Sequence, residues 1–400
     1  MRILFLSRWY PYPPDNGSKI RVFNLLRQLS VSHEVFLIAF SGKCDRVDAD
    51  TLAALRDRCV AVRAVAYPSL SPSRLRTIVG LLSTQPRFLV ETFTEGVKNT
   101  VREELGRLRY DLLVASELDM VPYALGQKDV PALFEELQLT PYRDAIRREH
   151  GFAPKTRRLL TWWKLSQYLR RILPRFAACT VVSQLEMDNV KAVAPGYDRV
   201  EVVPNAIDLG HYDGDFGSPQ TKTLIFSGAL TYDANFDAVA YFLTNIYPRI
   251  RQAVPDLKFR ITGRVDGVDL LSLPRAEGVE YTGYLQDIRP AVAKSWATVV
   301  PLRFGGGTRL KILESMALGT PVVSTSKGAE GLDVADGDNI IIADEPGEFA
   351  DKVTELLRSP ELRRRLASGG RELVASRYDW DTVGKTLREV VERAVVANAR

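Results

Sequence analysis

The sequence predicts an α/β fold of two doubly wound parallel sheets. Short apolar runs alternate with helical patterns along the 400 residues, which is typical of a parallel sheet covered by helices on both faces. The alternation stops once, at the turn-rich segment Val202–Asp208, and then starts afresh. A chain of this length also exceeds one ordinary compact core. We therefore predict Rossmann-like domains over 1–204 and 205–378, and a helix over 379–400 that packs back toward the first domain.

Apolar runs bounded by polar or turn residues mark the strands of both domains. The first domain is predicted to have strands at Ile3–Ser7, Glu34–Phe40, Leu112–Ala115, Ala132–Phe134 and Thr180–Val182, with a helix at Lys19–Ser30. The second is predicted to have strands at Thr223–Ser227, Lys258–Thr262, Val279–Thr282, Ala297–Pro301, Pro321–Ser324 and Asn339–Ala343, with helices at Asn235–Ile250, Leu310–Leu318 and Glu348–Leu357. The last helix, Trp380–Val396, has an apolar stripe and a charged face.

Composition excludes several classes of protein. Hydrophobic residues make up 46% of the chain and charged residues 26%, the balance of a folded globular protein. The net charge of +5 suits anionic ligands, but no zinc-finger spacing, aromatic RNA-binding signature or basic tail indicates nucleic acid. Three cysteines without a C-x-x-C pair form no disulfide framework. No apolar stretch reaches the ~18 residues of a membrane span, so we expect a cytoplasmic protein.

A basic, aromatic stretch over residues 155–175 predicts that the protein can also lie at a membrane surface. Its lysines and arginines lie among leucines and the neighbouring Trp162 and Trp163. Basic residues beside tryptophan can rest on an anionic membrane surface, which would make the protein peripheral at the inner membrane face. The alternative is a solvated charged face whose apolar side packs on the domain.

Two junctions between a strand and a helix have the chemistry of a phosphate site. After the first strand, Gly17 opens a helix beyond the strand's carboxyl end, where open α/β sheets bind ligands. After Ala297–Pro301, three glycines at 305–307 precede a second helix. Its free N–H groups, with Arg309 and Lys311, would form a concave surface that donates hydrogen bonds to a diphosphate. The chain lacks G-x-G-x-x-G and the P-loop motif, which disfavours dinucleotide dehydrogenases and P-loop ATPases.

Glu314 lies about one and a half turns into this second helix. Its carboxylate could accept hydrogen bonds from two vicinal hydroxyls, such as those of a ribose. A surface glutamate beyond a flexible loop and a buried ion pair with Arg309 are the alternatives.

These motifs give the chain a specific resemblance. It resembles the family 4 glycosyltransferases, retaining enzymes of GT-B architecture in which two Rossmann-like domains face a cleft. The matching stretches, in the expected order, are Pro11–Arg21, Cys179–Ser183 ("CTVVS"), Val202–Asp208 ("VVPNAID"), Phe226–Ala229 ("FSGA"), Tyr281–Tyr284 ("YTGY") and Pro301–Val323. The last stretch, which contains "GGGTRLKILESMALGTPVV", is the most specific, and together the matches cover nearly the whole chain.

The resemblance implies a role for each matching position. A UDP-, GDP- or similar sugar would be approached by Gly17 from the first domain. The second domain would bind this donor through Tyr284, Leu285, Gly306, Gly307, Thr308, Arg309, Leu310 and Glu314. Tyr284 and Leu285 would lie at the base, and Glu314 at the ribose. Asn205 and Ser183 would shape the hinge and cleft, although plain turn and cap roles suffice for both.

Two departures from the family concern the donor. Many members carry two glutamates eight residues apart in the last motif, but here the first position is Gly306, which leaves the donor sugar open. Many members also carry an Arg and a Lys after the "SG" strand, where this chain has Ala229–Asn235. Because a leaving diphosphate needs cationic or N–H stabilisation, Arg309 and Lys311 are the catalytic candidates for that charge.

The third departure concerns the acceptor side. Many relatives use a histidine after the fifth strand of the first domain, and this chain has Glu135 and Glu136 there. Either carboxylate could exchange a proton with an acceptor hydroxyl, and capping a helix is the alternative role. Glu117 and Asp119, after the strand before, are weaker candidates of the same type.

The expected reaction is a retaining, metal-independent transfer to a sugar, glycan or lipid-linked acceptor in polysaccharide or glycolipid assembly. We expect no metal because the Asp-x-Asp at Asp48 and Asp50 lies in a helical segment and histidine is scarce. Two rival functions stay open. A nucleotide-sugar epimerase would need no acceptor, and a non-catalytic sugar-nucleotide-binding protein is plausible because of Gly306.

Overall fold

The computed structural model describes residues 1–42, 47–67, 83–127, 129–307 and 309–398, with side chains described as far as residue 396. The chain divides into two compact units. The first unit comprises residues 1–204 and 383–400, and the second comprises residues 205–382. Each unit has a parallel sheet and a hydrophobic core of its own.

The first unit is built on a parallel sheet. Its strands are β1 (Arg2–Ser7), β2 (Glu34–Ser41), β3 (Ala61–Ala66), β4 (Leu112–Ser116), β5 (Ala132–Glu135), β6 (Ala178–Val181) and β7 (Val200–Val202). Within the described residues the order is β3-β2-β1-β4-β5-β6-β7, and every pairing is parallel. The central strands are buried on both faces, which is why the sequence shows them as continuous apolar runs. The order reverses between β1 and β4, so ligands are expected at the carboxyl edge there.

Helices cover this sheet. They are α1 (Gly17–Leu29), α2 (Ala49–Arg56), α3 (Arg87–Thr92), α4 (Glu95–Arg107), α5 (Val121–Ala124), α6 (Thr140–Arg147), α7 (Phe152–Ile172) and α8 (Gln184–Val193). Asn16 caps α1 by accepting the N–H of Lys19 at 3.1 Å. Ser183 caps α8 in the same way through the N–H of Glu186, as the plainer interpretation of Ser183 predicted.

The second unit repeats the plan. Its strands are β8 (Thr223–Ser227), β9 (Lys258–Thr262), β10 (Val279–Gly283), β11 (Ala297–Val300), β12 (Val322–Ser324) and β13 (Ile341–Ile342). Their order is β10-β9-β8-β11-β12-β13 in the described residues, again with parallel pairings. The reversal falls between β8 and β11, so the loops after these two strands meet at the ligand-binding edge. The predicted fold class is confirmed in both units.

The remaining helices are α9 (Asp233–Tyr241), α10 (Tyr247–Ala253), α11 (Arg289–Ala293), α12 (Leu310–Ala317), α13 (Pro346–Arg358), α14 (Pro360–Arg377) and α15 (Trp380–Asn398). The single helix predicted at Asn235–Ile250 is wrong in detail, because a π-helical turn at Phe242–Ile246 separates α9 from α10. Elements that the sequence patterns do not predict include β3 and the helices α4, α8 and α14. The strand expected at Asn339–Ala343 shortens to Ile341–Ile342.

Candidate active site

The glycine-rich loop of the second unit lies at the switch point of its sheet. It leaves the carboxyl end of β11 and leads into α12. Gly305 and Gly307 have φ angles of 110° and 82°, in the left-handed region that favours glycine. Thr308 lies outside the described residues. Gly305 and Gly307 therefore have conformations that residues with a side chain rarely adopt.

The first turn of α12 presents backbone N–H groups. Its N-cap residue, Arg309, has no side-chain capping hydrogen bond at the helix start, and Leu310 is the first helical residue. N–H groups at such a start have no partner within the helix and carry the positive end of its dipole. The geometry that the diphosphate hypothesis requires is therefore present.

Lys311 reaches from α12 to the loop after β8. Its ammonium donates to Asn235 Oδ1 at 2.9 Å and lies 4.2 Å from the ring centroid of Phe226. A Cβ atom on Gly228 would stand 2.7 Å from Lys311 Nζ and 2.8 Å from Asn235 Nδ2, so a side chain at this position would displace the cation. Lys311 thus supplies a positive charge at the segment after the "SG" strand, where the sequence has no base.

The environment of Lys311 changes its titration. Burial, and secondly the charge of the neighbouring Arg309, lower the pKa of Lys311 to about 7, against an opposing effect of Glu314. A diphosphate beside this ammonium would restore its charge. The residue is therefore poised to take up a proton when an anion binds.

Arg309 fastens the glycine-rich loop. It is 6% exposed, and its guanidinium donates to the carbonyl oxygens of Gly306 at 2.8 Å and Gly305 at 2.7 Å. A third, longer bond of 3.3 Å goes to the carbonyl of Lys327. These bonds give Arg309 a structural function that the sequence did not predict. The phosphate contact predicted for Arg309 from the sequence is a separate function.

Glu314 faces a tyrosine from the start of the second unit. Its Oε1 accepts a hydrogen bond from the hydroxyl of Tyr212 at 3.1 Å. Burial raises the pKa of Glu314, and the bond from Tyr212 and the charge of Lys311 oppose that rise. Glu314 is thus a largely buried, oriented acceptor and not a surface glutamate. Tyr212 could not be found from the sequence motif, because it lies about a hundred residues earlier.

Tyr284 and Leu285 follow β10 at the same edge of the second sheet. Tyr284 is 63% exposed, and the guanidinium of Arg264 lies 5.3 Å from the centroid of its ring. Arg264 follows β9. The loops after β9, β10 and β11 therefore all carry residues that are candidates for contacting the donor. An exposed aromatic ring beside a cation is chemically suited to stack with a nucleotide base.

In the first unit, Gly17 is the first residue of α1 and is exposed. Asn16 already binds one N–H of this helix start, as described above, so fewer amides are available here than at α12. Arg21, one turn further on, is 1% exposed and donates to Glu135 Oε1 at 2.8 Å and to the carbonyl of Val203 at 3.0 Å. The start of α1 is thereby tied to the carboxyl end of β5.

The two neighbouring glutamates after β5 differ in their hydrogen-bond partners. Glu135 is 1% exposed, and its second oxygen accepts from Ser116 Oγ at 2.6 Å, so both of its oxygens are engaged. Glu136 has one oxygen bound by Gln138 Nε2 at 2.6 Å, while Oε2 is buried without a hydrogen-bond partner, 3.4 Å from Arg21 Nε. The geometry favours Glu136 over Glu135 as the group that exchanges a proton.

The helix-capping alternative for these two glutamates is wrong. The next helix, α6, starts at Thr140, and the backbone N–H groups of Leu139 and Thr140 donate to the carboxylate of Glu186, at 2.8 Å and 3.0 Å to its two oxygens. The cap therefore comes from α8, far along the chain.

Glu117 and Asp119 join Glu136 at this edge. Trp9 Nε1 donates to Glu117 Oε1 at 2.5 Å, and Arg8 donates to Asp119 Oδ2 at 2.6 Å. Burial raises the pKa of Glu117 to about 7 and that of Glu136 to about 8, with Arg8 and Arg21 respectively opposing the rise. The sequence ranked Glu117 and Asp119 below the β5 pair, but the structure puts Glu117 on the same wall as Glu136.

These carboxylates line a cavity of about 490 Å³ within the first unit. Aromatic side chains form much of the remaining wall, and Ser18 from the first turn of α1 also contributes. The lining includes Arg8, Trp9, Ser18, Tyr67, Phe88, Glu117, Asp119, Glu136, Gln138 and Tyr142. Both Glu117 and Glu136 have positive φ angles, 67° and 61°, which is strained for residues with a side chain and is common at functional sites.

The predicted membrane segment corresponds to α7. Its second half is packed, with Leu165 and Leu169 buried. Its first half is exposed around the whole helix, and Phe152 and Trp163 are 89% and 57% exposed. Within the described residues, no helix is long and apolar enough to cross a membrane. Nor do the described side chains include three or more His, Cys, Asp or Glu residues grouped to hold a metal ion.

Comparison with known families decides the identity of the second unit. Residues 221–359 match the family model described as Glycosyl transferases group 1. The second unit is a group 1 glycosyl transferase domain. The match includes the glycine-rich loop, Lys311 and Glu314, so the resemblance inferred from the motifs is confirmed for this glycosyl transferase domain.

Curated relatives are glycosyltransferases of several kinds. The chain is 28% identical to a phosphatidyl-myo-inositol mannosyltransferase of Mycobacterium leprae over 59% of its own length and 63% of that protein. It is also 28% identical to a glycogen synthase of Mycobacterium tuberculosis over 49% of either chain. The chain thus spans less than two thirds of the length of the curated relatives it matches.

Solved structures share the fold over nearly the whole chain. HepE of Anabaena, solved in complex with UDP and glucose, has a TM-score of 0.67 at 15% identity and is covered to 99%, with 98% of this chain. Sucrose-phosphate synthase from Thermosynechococcus elongatus has a TM-score of 0.69 at 15% identity, with 99% and 100% coverage. At this identity the likeness concerns the fold alone, which is that of the GT-B glycosyltransferases.

Proposed function

We propose that the chain transfers a sugar from a nucleoside diphosphate sugar to an acceptor hydroxyl. The observation that carries this proposal is the switch point of the second sheet, where helix-start amides and the Lys311 ammonium lie together. Such a surface suits a diphosphate and stabilises the charge that develops as it leaves. Glu314, oriented by Tyr212, would accept hydrogen bonds from the ribose, and Tyr284 and Leu285 would contact the base.

The acceptor would enter the cavity of the first unit. Glu136 supports this assignment because one oxygen of a buried carboxyl lacks a hydrogen-bond partner and can accept the proton of a hydroxyl. Its raised pKa matches a group that exchanges protons near neutral pH. The departing diphosphate is the second possible proton acceptor. Glu135, held by Arg21 and Ser116, acts in this account as a structural residue.

A panel of nucleotide sugars tests the proposal. We expect UDP or GDP sugars, but not NAD or ATP, to raise the thermal unfolding temperature, and the best of them to be consumed when sugar or glycan acceptors are added. Release of an isomerised donor without any acceptor would favour an epimerase instead. Stabilisation without consumption across a wide acceptor panel would favour a non-catalytic binding protein.

We further propose that transfer retains the anomeric configuration and needs no metal. The family resemblance supports retention, with the acceptor attacking from the face that the diphosphate leaves. Lys311 and the amides at the α12 start supply positive charge that would otherwise come from a metal ion. Proton NMR of the first product formed, from a donor of known configuration, tests retention. Undiminished turnover in EDTA tests metal independence.

The acceptor is proposed to be a glycan or lipid-linked sugar used at an anionic membrane surface, such as the inner face of a bacterial membrane. The first half of α7 supports this location, because Phe152, Leu159, Leu160 and Trp163 are exposed there beside Lys155 and Arg157. Exposed apolar side chains flanked by cations complement both the acyl boundary and the charge of anionic lipid headgroups.

Vesicle sedimentation tests this membrane surface. We expect binding to vesicles with 30% phosphatidylglycerol, weak binding to pure phosphatidylcholine, and loss of binding in Phe152→Ser/Trp163→Ser and in Lys155→Gln/Arg157→Gln. Arg364→Gln/Arg377→Gln removes the same charge from exposed positions of the second unit and is the matched control. Equal binding by all three variants would contradict the proposal.

A further inference from the structure

The cavity of the first unit has an unusual balance of charge for an enzyme of anionic substrates. Among the described residues that line it, Glu117, Asp119 and Glu136 are acids and Arg8 is a base. Asp119 and Glu136 are 5% and 6% exposed, so their charges are not dispersed by bulk water. The kind of ligand that fits therefore depends on which of these groups are already paired within the protein.

Arg8 is already committed within the protein. It donates to Asp119 at 2.6 Å, lies 3.9 Å from Glu117, and its guanidinium is 5.1 Å from the ring centroid of Trp9 and 5.5 Å from that of Tyr67. This single cation thus faces two carboxylates and two aromatic rings. It pairs most closely with Asp119, so we assign it as a partner of the protein's own acids and not as an anion receptor.

Glu136 points to a ligand that donates hydrogen bonds. Its Oε2 is buried without a hydrogen-bond partner, and its only nearby cation in the described residues, Arg21 at 3.4 Å, also serves Glu135. A buried acceptor left unmatched is costly unless a ligand or water supplies a proton donor. The strained backbone of both Glu117 and Glu136 holds these carboxyls in place.

The aromatic lining points to the shape of that ligand. Trp9, Tyr67, Phe88 and Tyr142 surround the carboxylates, and Phe88 and Tyr142 are stacked with ring centroids 6.1 Å apart. Apolar ring faces combined with a few acceptor groups suit a molecule that has C–H faces and hydroxyls around its rim. A pyranose or cyclitol ring has that form.

We infer that this cavity selects a polyhydroxylated ring that is neutral or carries an amine, and excludes rings that carry a carboxylate or phosphate. The inference rests on the proposed function for its biological meaning, because the selected ring would be the acceptor. An anionic ring would lose its hydration and find no uncommitted cation among the described lining residues, because Arg8 pairs with Asp119, and the ionised fraction of Glu117 and Glu136 would repel it. An ammonium or hydroxyl, in contrast, donates to the same oxygens. Glu117 and Glu136 are the specificity-determining residues.

Matched ring pairs test the inference without any transfer reaction. Saturation-transfer NMR on the whole chain would compare glucose with glucuronate, galactose with galacturonate, and add mannose, glucosamine and myo-inositol. We expect at least one neutral ring to bind, its carboxylate analogue to bind at least tenfold more weakly, and glucosamine to equal or exceed glucose. Because no nucleotide sugar is present, the binding results do not depend on whether the protein transfers a sugar.

Two variants sharpen the result. Glu117→Gln should reduce the ratio of the dissociation constants of the anionic and neutral rings by at least threefold. Arg8→Gln should increase the same ratio, because the uncompensated carboxylates then repel an anion more strongly. If Arg8 were an anion receptor, Arg8→Gln would weaken the anionic ring instead. Equal or tighter binding of the anionic rings to the wild-type chain, or no saturable binding of any neutral ring, would overturn the inference.

Discussion

The carboxyl edges of the two sheets share one backbone plan and have opposite chemistry. In the first unit, four acidic side chains gather around Arg8 and Arg21, and three of them, Glu117, Asp119 and Glu136, line a cavity and have raised pKa values. In the second unit, glycines, helix-start amides and Lys311 occupy the equivalent switch point. Since the fold is the same, the ligand of each edge is decided by side chains and loop conformation alone.

The two edges also differ in how they position their functional groups. The glycine-rich loop of the second unit has glycine at its left-handed positions, Gly305 and Gly307, so its backbone could approach a ligand closely without strain. The first unit places Glu117 and Glu136 in the left-handed region, at a cost of about 1–3 kcal/mol each. The first edge therefore acts through side chains, and the second mainly through backbone and one cation.

The largest effect on activity is expected from Glu136, the proposed proton acceptor at the carboxyl edge of the first sheet. Glu136→Gln keeps the shape of the side chain but removes its ability to accept a proton, so kcat should fall by about 10²–10⁴-fold with little change in the KM for the donor. Steady-state kinetics with the best donor and acceptor measure this. A kcat within threefold of the wild type would remove Glu136 from the reaction.

The neighbouring glutamate should give the opposite pattern. Glu135→Gln breaks the buried ion pair with Arg21, which should lower the free energy of unfolding by about 3 kcal/mol. Urea denaturation measures the loss, and Glu136→Gln serves as the size-matched comparison. If Glu135→Gln were as stable as the wild type yet inactive, the two roles would have to be exchanged.

The second edge is tested through its cation. Lys311→Met retains most of the volume but removes a charged hydrogen-bond donor, so the affinity for the donor should fall by about 2 kcal/mol, roughly 30-fold. Isothermal titration with the nucleotide sugar gives the value. Lys352→Met, at an exposed position of the same unit, is the control and should bind normally.

A smaller effect should appear as a pH dependence of that affinity. The pKa of Lys311 is about 7 in the free protein, and a bound diphosphate raises it, so binding takes up a proton above pH 7. Affinity should therefore weaken by up to about tenfold per pH unit between pH 7 and 8.5. Lys311→Arg, whose side chain stays charged, should flatten the profile. A flat wild-type profile would show that Lys311 does not titrate at the donor.

The fold and the position of the glycine-rich loop could be predicted from the sequence because both depend on local pattern. Apolar runs identify buried parallel strands, and glycines before a helix identify the loop at 305–307. Strand β3 was not predicted because its residues are only half-buried and its alternation of apolar and polar residues is weak. The capping of α6 by Glu186 escaped because the partners lie 46 and 47 residues apart.

The same limit explains what was missed at the sites. The sequence identified Lys311 as a substitute cation, but its contact with Gly228 and Asn235 depends on tertiary packing. Glu135 and Glu136 are adjacent and chemically alike, and their tertiary contacts distinguish them. Arg21 and Ser116 engage both oxygens of Glu135, whereas Glu136 has a positive φ and one oxygen without a hydrogen-bond partner. None of these properties is visible in a local motif.

The contrast between the two edges can be tested most directly by hydrogen exchange. Backbone amides at Arg309, Leu310 and Lys311 should be protected by a saturating nucleotide sugar, because the diphosphate would accept their hydrogen bonds. The segments at Glu117–Met120 and Glu135–Gln138 should exchange at the same rate with or without that ligand. Protection of those first-unit segments, with unchanged exchange at 309–311, would contradict the assignment of the diphosphate to the second edge.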